Sequence, residues 1–242
     1  MTGLILAAGL GERLHSSKDY GLCKPLQKVS DIPLISYSLE LLEKTDVEDV
    51  IIVVGKYYEQ IRSEIGDSFG KMKIRYELQQ EQKGLVNAIV CGCRNCEDDV
   101  LVLLADELFV EAKIDECLSV FSDDSLDFVC TYTIEDDEEK IKANFSFRTD
   151  ENGIPYDFVE KPTETVNDMK GTGVCLFSRE SIKKVKQKYD EESNTPNTLC
   201  DFFNMLLEEK MTGKAFNFAK AEINVNTQAD LSLAKSMFET EE

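Results

Sequence analysis

Short unbroken apolar runs alternate with longer stretches whose apolar positions recur every three or four residues. Leu4–Leu6 reads as a buried strand at the N-terminus, stopped by small residues. Residues 33–42 carry apolar side chains at helical spacing, with Pro33 suited to a first turn. Val50–Val54 is a second buried strand closed by Gly55, Tyr58–Ile65 a short helix and Lys73–Leu78 an alternating strand. The rhythm continues through a strand at Val100–Leu104, a helix at Lys113–Phe121 and a strand at Phe128–Tyr132. Strand and helix in alternation predict a parallel sheet covered by helices, α/β and Rossmann-like in class.

Beyond that point the pattern changes. Asn144–Thr149, the turn residues 151–154 with Asn152-Gly153, and Tyr156–Val159 predict a hairpin. A strand is expected at Thr172–Phe177, a basic amphipathic helix at Ser181–Tyr189 and a helix at Leu199–Lys210. Ala215–Ala219 reads as a strand and Ala229–Met237 as a closing helix, while the acidic run Glu135–Glu139 reads as a solvated loop or helix start. With no repeat, Pro-rich hinge or low-complexity linker, residues 1–242 are expected to form one domain, residues 1–110 facing a nucleotide and residues 111–242 an acceptor.

The first chemistry lies directly after the first strand. After Leu6, the run Ala7, Ala8, Gly9, Leu10, Gly11, Glu12, Arg13 is a turn too small-sided to be packing a core, and such a turn lets backbone N–H groups approach an anion. Arg13 and Lys24 add cationic donors, and His15, the single histidine, lies between them. Leu14 stands where a dinucleotide fingerprint needs its third glycine, and no Gly-Lys-Ser/Thr triplet marks a P-loop. Asp106 follows an apolar strand whose carboxyl end should face the ligand, and its carboxylate suits Mg²⁺. The amide of Gln79 can both donate to and accept from the imide edge of uracil or thymine, and Gly84 leaves backbone free to approach the same base.

Gly9-x-Gly11-x-Arg13 with Lys24-Pro25-Leu26 resembles the signature of nucleotidylyltransferases that join a nucleoside triphosphate to a sugar 1-phosphate. Further motifs in the family's order extend the resemblance from Leu4 to Leu233. It implies a three-layer sandwich with a mostly parallel mixed central sheet plus a small hairpin-containing acceptor-binding part. Arg13 and Lys24 would embrace the triphosphate and incoming phosphate, and Gln79 and Gly84 would hold a pyrimidine. Glu160-Lys161-Pro162 is similar to the acceptor-side triplet, Glu160 for sugar hydroxyls and Lys161 for the acceptor phosphate, and Thr172-Gly173 matches the segment under the sugar. Asp106 would be one Mg²⁺ ligand; the second falls in Asn224-Val225-Asn226-Thr227, where alignment through the closing helix favours Asn226 over Asn224, with Thr227 as a competing helix cap. Phe145 stands where relatives carry a glycine, and Gly171 where the N-acetylglucosamine enzymes carry an asparagine, so the acceptor pocket should be reshaped. The chain lacks a hexapeptide-repeat tail, which the resemblance reads as a minimal, single-function member.

A net charge of −20 argues against nucleic acid and anionic membranes as partners, and it makes Arg13, Lys24 and Lys161 a local exception. The expected partners are a nucleoside triphosphate and a phosphorylated small-molecule acceptor; a homo-oligomer is compatible with the chain. Without a basic n-region before the first apolar run, and without an apolar run of spanning length, a cytoplasmic location is expected, with the eight cysteines reduced. A lone histidine excludes histidine-based triads and multi-histidine metal sites. The expected reaction is Mg²⁺-dependent attack of a phosphate oxygen on the α-phosphorus of UTP or dTTP. Competing readings are a cytidylyltransferase for a small non-hexose phosphate, a silent nucleotide-sugar-binding relative and a glycosyltransferase, whose usual D-x-D motif is missing around Asp106.

Overall fold

The computed structural model describes residues 1–11, 13–14, 21–123, 125–191 and 197–238. His15 lies outside them.

Among the described residues, eight strands form one mixed sheet, in the order Gly213–Asn217, Phe128–Ile134, Met169–Phe177, Val100–Leu104, Thr2–Leu6, Asp49–Val54, Met72–Leu78 and Ser68–Phe69. Thr2–Leu6 is parallel to both neighbours, Asp49–Val54 is parallel to Met72–Leu78, and Gly213–Asn217 to Phe128–Ile134. Met169–Phe177 runs antiparallel to the strands on either side of it. The expected mostly parallel mixed sheet is therefore present.

Alternation along the strands feeds two cores. Ile5, Ile52, Leu103 and Leu176 pack on one face with Leu39 and Leu42 of the helix Leu34–Glu43 and with Phe121 of Ile114–Asp123. Leu4, Val53, Val102 and Phe177 pack on the other with Ile89 of Gly84–Gly92, Val185 of Arg179–Glu191 and Phe203 of Leu199–Glu208. A strand buried on both faces reads as a continuous apolar run, which is why the central strands were visible in the sequence. Two helical layers on one sheet make the three-layer sandwich.

Several boundaries differ from expectation. The last sheet strand is Gly213–Asn217, two residues earlier than Ala215–Ala219, because parallel pairing with Phe128–Tyr132 sets its register; Phe218 and Ala219 are buried beyond it. Two four-residue strands, Glu107–Val110 and Ala221–Asn224, pair antiparallel and were not anticipated. Each carries a buried glutamate, Glu107 and Glu222, and a short segment with such a residue reads as loop. The hairpin is present as Phe145–Thr149 against Pro155–Glu160. Its turn is tied by the Asp150 carboxylate, which accepts from the N–H groups of Asn152 and Ile154, with Gly153 at φ +77°.

This topology decides where a ligand can sit. From Thr2–Leu6 the chain crosses to Asp49–Val54 on one side and later returns to Val100–Leu104 on the other. A crevice opens outside the carboxyl ends of strands at such a switch point. The loop after Leu6 and the turn at Ala105–Asp106 lie there together, the Ala105 N–H donating to the Leu6 carbonyl at 3.2 Å.

Candidate active site

The small-residue loop leaves the sheet with Ala7 still anchored, its N–H donating to the Val53 carbonyl. Beyond Ala7, open space surrounds the position a Cβ of Gly9 would take, and Gly11 adopts φ +65°. That left-handed conformation favours glycine. Gln82 closes over the loop, its side-chain amide donating to the Ala8 carbonyl at 2.6 Å.

Lys24 opens a single 3₁₀ turn, Lys24–Leu26, which Pro25 suits by its fixed φ. The side chain is largely buried and reaches back over the sheet end. Its ammonium pairs with the Asp106 carboxylate and donates to the Asn226 side-chain oxygen at 2.9 Å. Arg13 donates to the same oxygen at 3.0 Å. Four residues from three distant segments thus meet at one point.

Asn226 is held by the turn that starts the helix Gln228–Phe238. The Asp230 carboxylate accepts from the N–H groups of Asn226 and Thr227, and Thr227 Oγ1 accepts from the Asp230 N–H. This reciprocal cap serves both roles weighed for the segment: Thr227 caps the helix and the cap presents Asn226. The two asparagines differ. The Asn226 oxygen faces Lys24 beside Asp106, whereas the Asn224 oxygen accepts from the Asn226 amide at 2.7 Å.

Two hard oxygens, from Asp106 and Asn226, converge on a position that holds a cation, the Lys24 ammonium. Such a donor pair fits Mg²⁺, which takes one or two protein oxygens and completes its shell with phosphate and water. Among the described residues no cluster of three His, Cys, Asp or Glu side chains offers a fuller metal cage.

A cleft of about 510 Å³ runs from Arg13 and Asn226 to Phe145, Glu160, Lys161 and Gly171. Glu160 and Lys161 are brought to it as expected, and burial raises the Glu160 pKa. Gly173 also lines it, and its N–H donates to the Glu107 carboxylate at 2.8 Å. Thr172 is not brought there: it is buried, with its hydroxyl bonded to that of Thr131. Gln79 is 5% exposed and its amide hydrogens go to the Gly84 carbonyl and Asn87, so it meets Gly84 while its own carbonyl oxygen makes neither bond. Gly84, at φ +87°, lies so near Asn197 that a Cβ would fall 2.7 Å from the Asn197 carbonyl oxygen.

The residues that sequence reasoning missed are charged and buried. Glu107 lies beside Asp106, accepting from Gly173 and from Asn224 at 3.4 Å. Burial, reinforced by Glu222 and Asp106, pushes its pKa well up. Lys170 lies 2.8 Å from a Glu222 carboxylate oxygen and 3.4 Å from Glu135. Burial works to lower the Lys170 pKa, but the two carboxylates outweigh it and raise it, while burial raises Glu222. The one signal available was that Glu107 directly follows Asp106.

The family model for nucleotidyl transferases matches residues 2–223. The chain belongs to this family. It is 34% identical over 110 residues to D-glycero-α-D-manno-heptose 1-phosphate guanylyltransferase of Campylobacter jejuni, a match spanning 45% of this chain and 49% of that protein. It is 25% identical over 251 residues to glucose-1-phosphate thymidylyltransferase of Neisseria gonorrhoeae, covering 99% and 83% of the two chains. Against UTP–glucose-1-phosphate uridylyltransferase AglF of Haloferax volcanii the identity is 26% over 178 residues, covering 74% and 72%. The chain therefore spans about half the length of the first of these relatives and more of the others. A solved structure of UDP-glucose pyrophosphorylase with UDP-glucose shares the fold at a TM-score of 0.83 and 19% identity, covering 98% of each chain. Among the described residues no helix is long and apolar enough to cross a membrane.

Proposed function

We propose that this protein joins a nucleoside triphosphate, UTP or dTTP by preference, to a sugar 1-phosphate, releasing pyrophosphate. The observation that carries the reading is the convergence of Lys24, Arg13, Asp106 and Asn226 outside the strand ends. A phosphate dianion is already a nucleophile at neutral pH, so the reaction needs no protein base; positioning and neutralisation of spreading charge suffice. Lys24 would hold the α-phosphate and the attacking phosphate in line, and Arg13, more exposed, the leaving pyrophosphate. Asp106 and Asn226 would hold Mg²⁺, which supplies further charge neutralisation when bound. The loop Ala8–Gly11 offers its backbone to the triphosphate, and the Gln79 carbonyl oxygen is an acceptor for a pyrimidine imide N–H. Glu160, Lys161 and Gly173 would line the acceptor, and residues 1–110 and 111–242 would divide nucleotide from acceptor within one domain.

The test is pyrophosphate release with Mg²⁺ across UTP, dTTP, CTP, ATP and GTP, each against hexose 1-phosphates and small phosphoalcohols. Release with UTP or dTTP and one sugar 1-phosphate, abolished by chelation, is the expected result. Release with CTP alone would favour the second reading, a cytidylyltransferase for a small phosphate ester. The observation behind that reading is Phe145, whose ring fills the space beside Gly171.

A further inference from the structure

Two of the eight cysteines are built into one turn that the transfer reaction does not use. Cys93 and Cys96 bracket the turn that follows the helix Gly84–Gly92, the Cys96 N–H donating to the Cys93 carbonyl at 3.0 Å. Such a turn holds its first and fourth Cα atoms within about 7 Å, and a disulfide bridges Cα atoms about 4–7 Å apart. The two sulfurs already touch, the Cys93 thiol donating a hydrogen bond to the Cys96 sulfur. The pair is asymmetric. Cys93 is 1% exposed and packs in the core with Leu4 and Ile89, whereas Cys96 is half-buried beside the exposed Arg94, Asn95 and Glu97.

We propose that Cys93 and Cys96 form a dithiol that exchanges reversibly with low-molecular-weight disulfides, Cys96 attacking from the surface and Cys93 closing the intramolecular bond from beneath. The bond from Cys93 holds the Cys96 pKa down to about 6, so at neutral pH the attacking sulfur is a thiolate. It attacks one sulfur of the small disulfide and expels the other half as a thiolate, which takes a proton from solvent. The Cys93 thiol then gives its proton to solvent and attacks the Cys96 sulfur, expelling the second half. Two electrons pass from the dithiol to the small disulfide, which leaves as two thiols. The Lys186 ammonium donates to the Cys93 and Arg94 carbonyls at 3.0 Å each, and its charge favours the Cys93 thiolate in the closing step. The other cysteines lack this arrangement. Cys91 directs its thiol to the Asn87 side-chain oxygen at 3.9 Å. Cys130 and Cys175 face each other across paired strands, but both are fully buried, beyond the reach of a reagent.

The experiment applies hydroxyethyl disulfide, small and uncharged, to the reduced full chain at neutral pH, followed by acid quenching and peptide mass spectrometry. The wild type should lose two hydrogens and yield a single Cys93–Cys96 linkage, which dithiothreitol reopens. Cys93→Ala should stop at a mixed disulfide on Cys96, and Cys96→Ser should form no intramolecular bond. If Cys93→Ala does not fold, the wild type and Cys96→Ser, altered at the half-buried position, decide. A wild type that stops at the mixed disulfide on Cys96 would overturn the proposal. So would linkage through Cys91 or between Cys130 and Cys175, or native thiols left unmodified by an exposure that oxidises them in urea.

Discussion

The two ends of the cleft solve opposite problems. At the triphosphate end the charged and amide side chains pair with one another: Lys24 with Asp106 and Asn226, Arg13 with Asn226, and Asn226 with Asn224. At the acceptor end an apolar wall of Phe145 over Gly171 shares the cleft with a buried ion pair, Glu222 with Lys170 at 2.8 Å. The difference is one of preorganisation. A site that neutralises spreading phosphate charge gains from groups held in place beforehand, since they need no reorganisation during reaction. A site that selects an acceptor gains from the shape of its wall, because a ring fixed in the pocket rejects acceptors that would clash with it.

The comparison breaks most sharply at Lys24. Lys24→Ala should lower kcat by about 10²–10³-fold, as for loss of one preorganised donor, with the acceptor KM a minor part of the loss. Initial-rate kinetics check this, and turnover near wild type would remove the premise of a preorganised triphosphate end. Next in size is the contrast between the two asparagines. Asn226→Ala should raise the Mg²⁺ concentration for half-maximal rate by about tenfold, a loss in the range known for residues that support a metal site. Asn224→Ala should do so less, because its oxygen faces Asn226; a metal titration of both variants distinguishes them, and equal effects would sink the assignment.

Gly171→Ala probes the other end. The added methyl group must displace the Phe145 ring, at a cost of about 1–3 kcal/mol typical of overpacking. Thermal unfolding should show the loss, and kcat with saturating acceptor should fall less than in Lys24→Ala. The smallest effect is expected at a thiol far from both ends. A hydrogen bond from Cys93 holds the Cys96 pKa down to about 6; that same bond, reinforced by burial, raises the pKa of Cys93, and burial raises those of Cys117, Cys130, Cys175 and Cys200. The thiolate is the nucleophile, so brief iodoacetamide treatment at neutral pH should label Cys96 first, as peptide mass spectrometry would show. The labelled protein should keep its rate.

Much of this was legible from local signals. The central strands are apolar because both their faces are covered, and the helices show their buried stripe at helical spacing. Arg13 and Lys24 stood out because small residues and basic residues have little other use directly after a buried strand. The strands Glu107–Val110 and Ala221–Asn224 were hidden because each is four residues long and carries a buried glutamate. Phe145 and Gly171 were visible as two separate departures from the family pattern, while their contact was not. Thr172 and Gly173 are neighbours in sequence, yet only Gly173 lines the cleft.

The sequence by itself determined the order of the elements, the α/β class, the family and the residue types available for phosphate chemistry. These follow from periodicity and turn chemistry, which act over a few residues. Tertiary structure alone decided which of those residues meet. Lys24 and Asn226 are 202 positions apart, and Arg13 and Asn226 are 213 apart, so their contact depends on where the chain crosses the sheet and on the cap that turns Asn226 inward. The same holds for Glu222. Its type and position were always readable, but its burial beside the Lys170 ammonium is a property of everything packed against it.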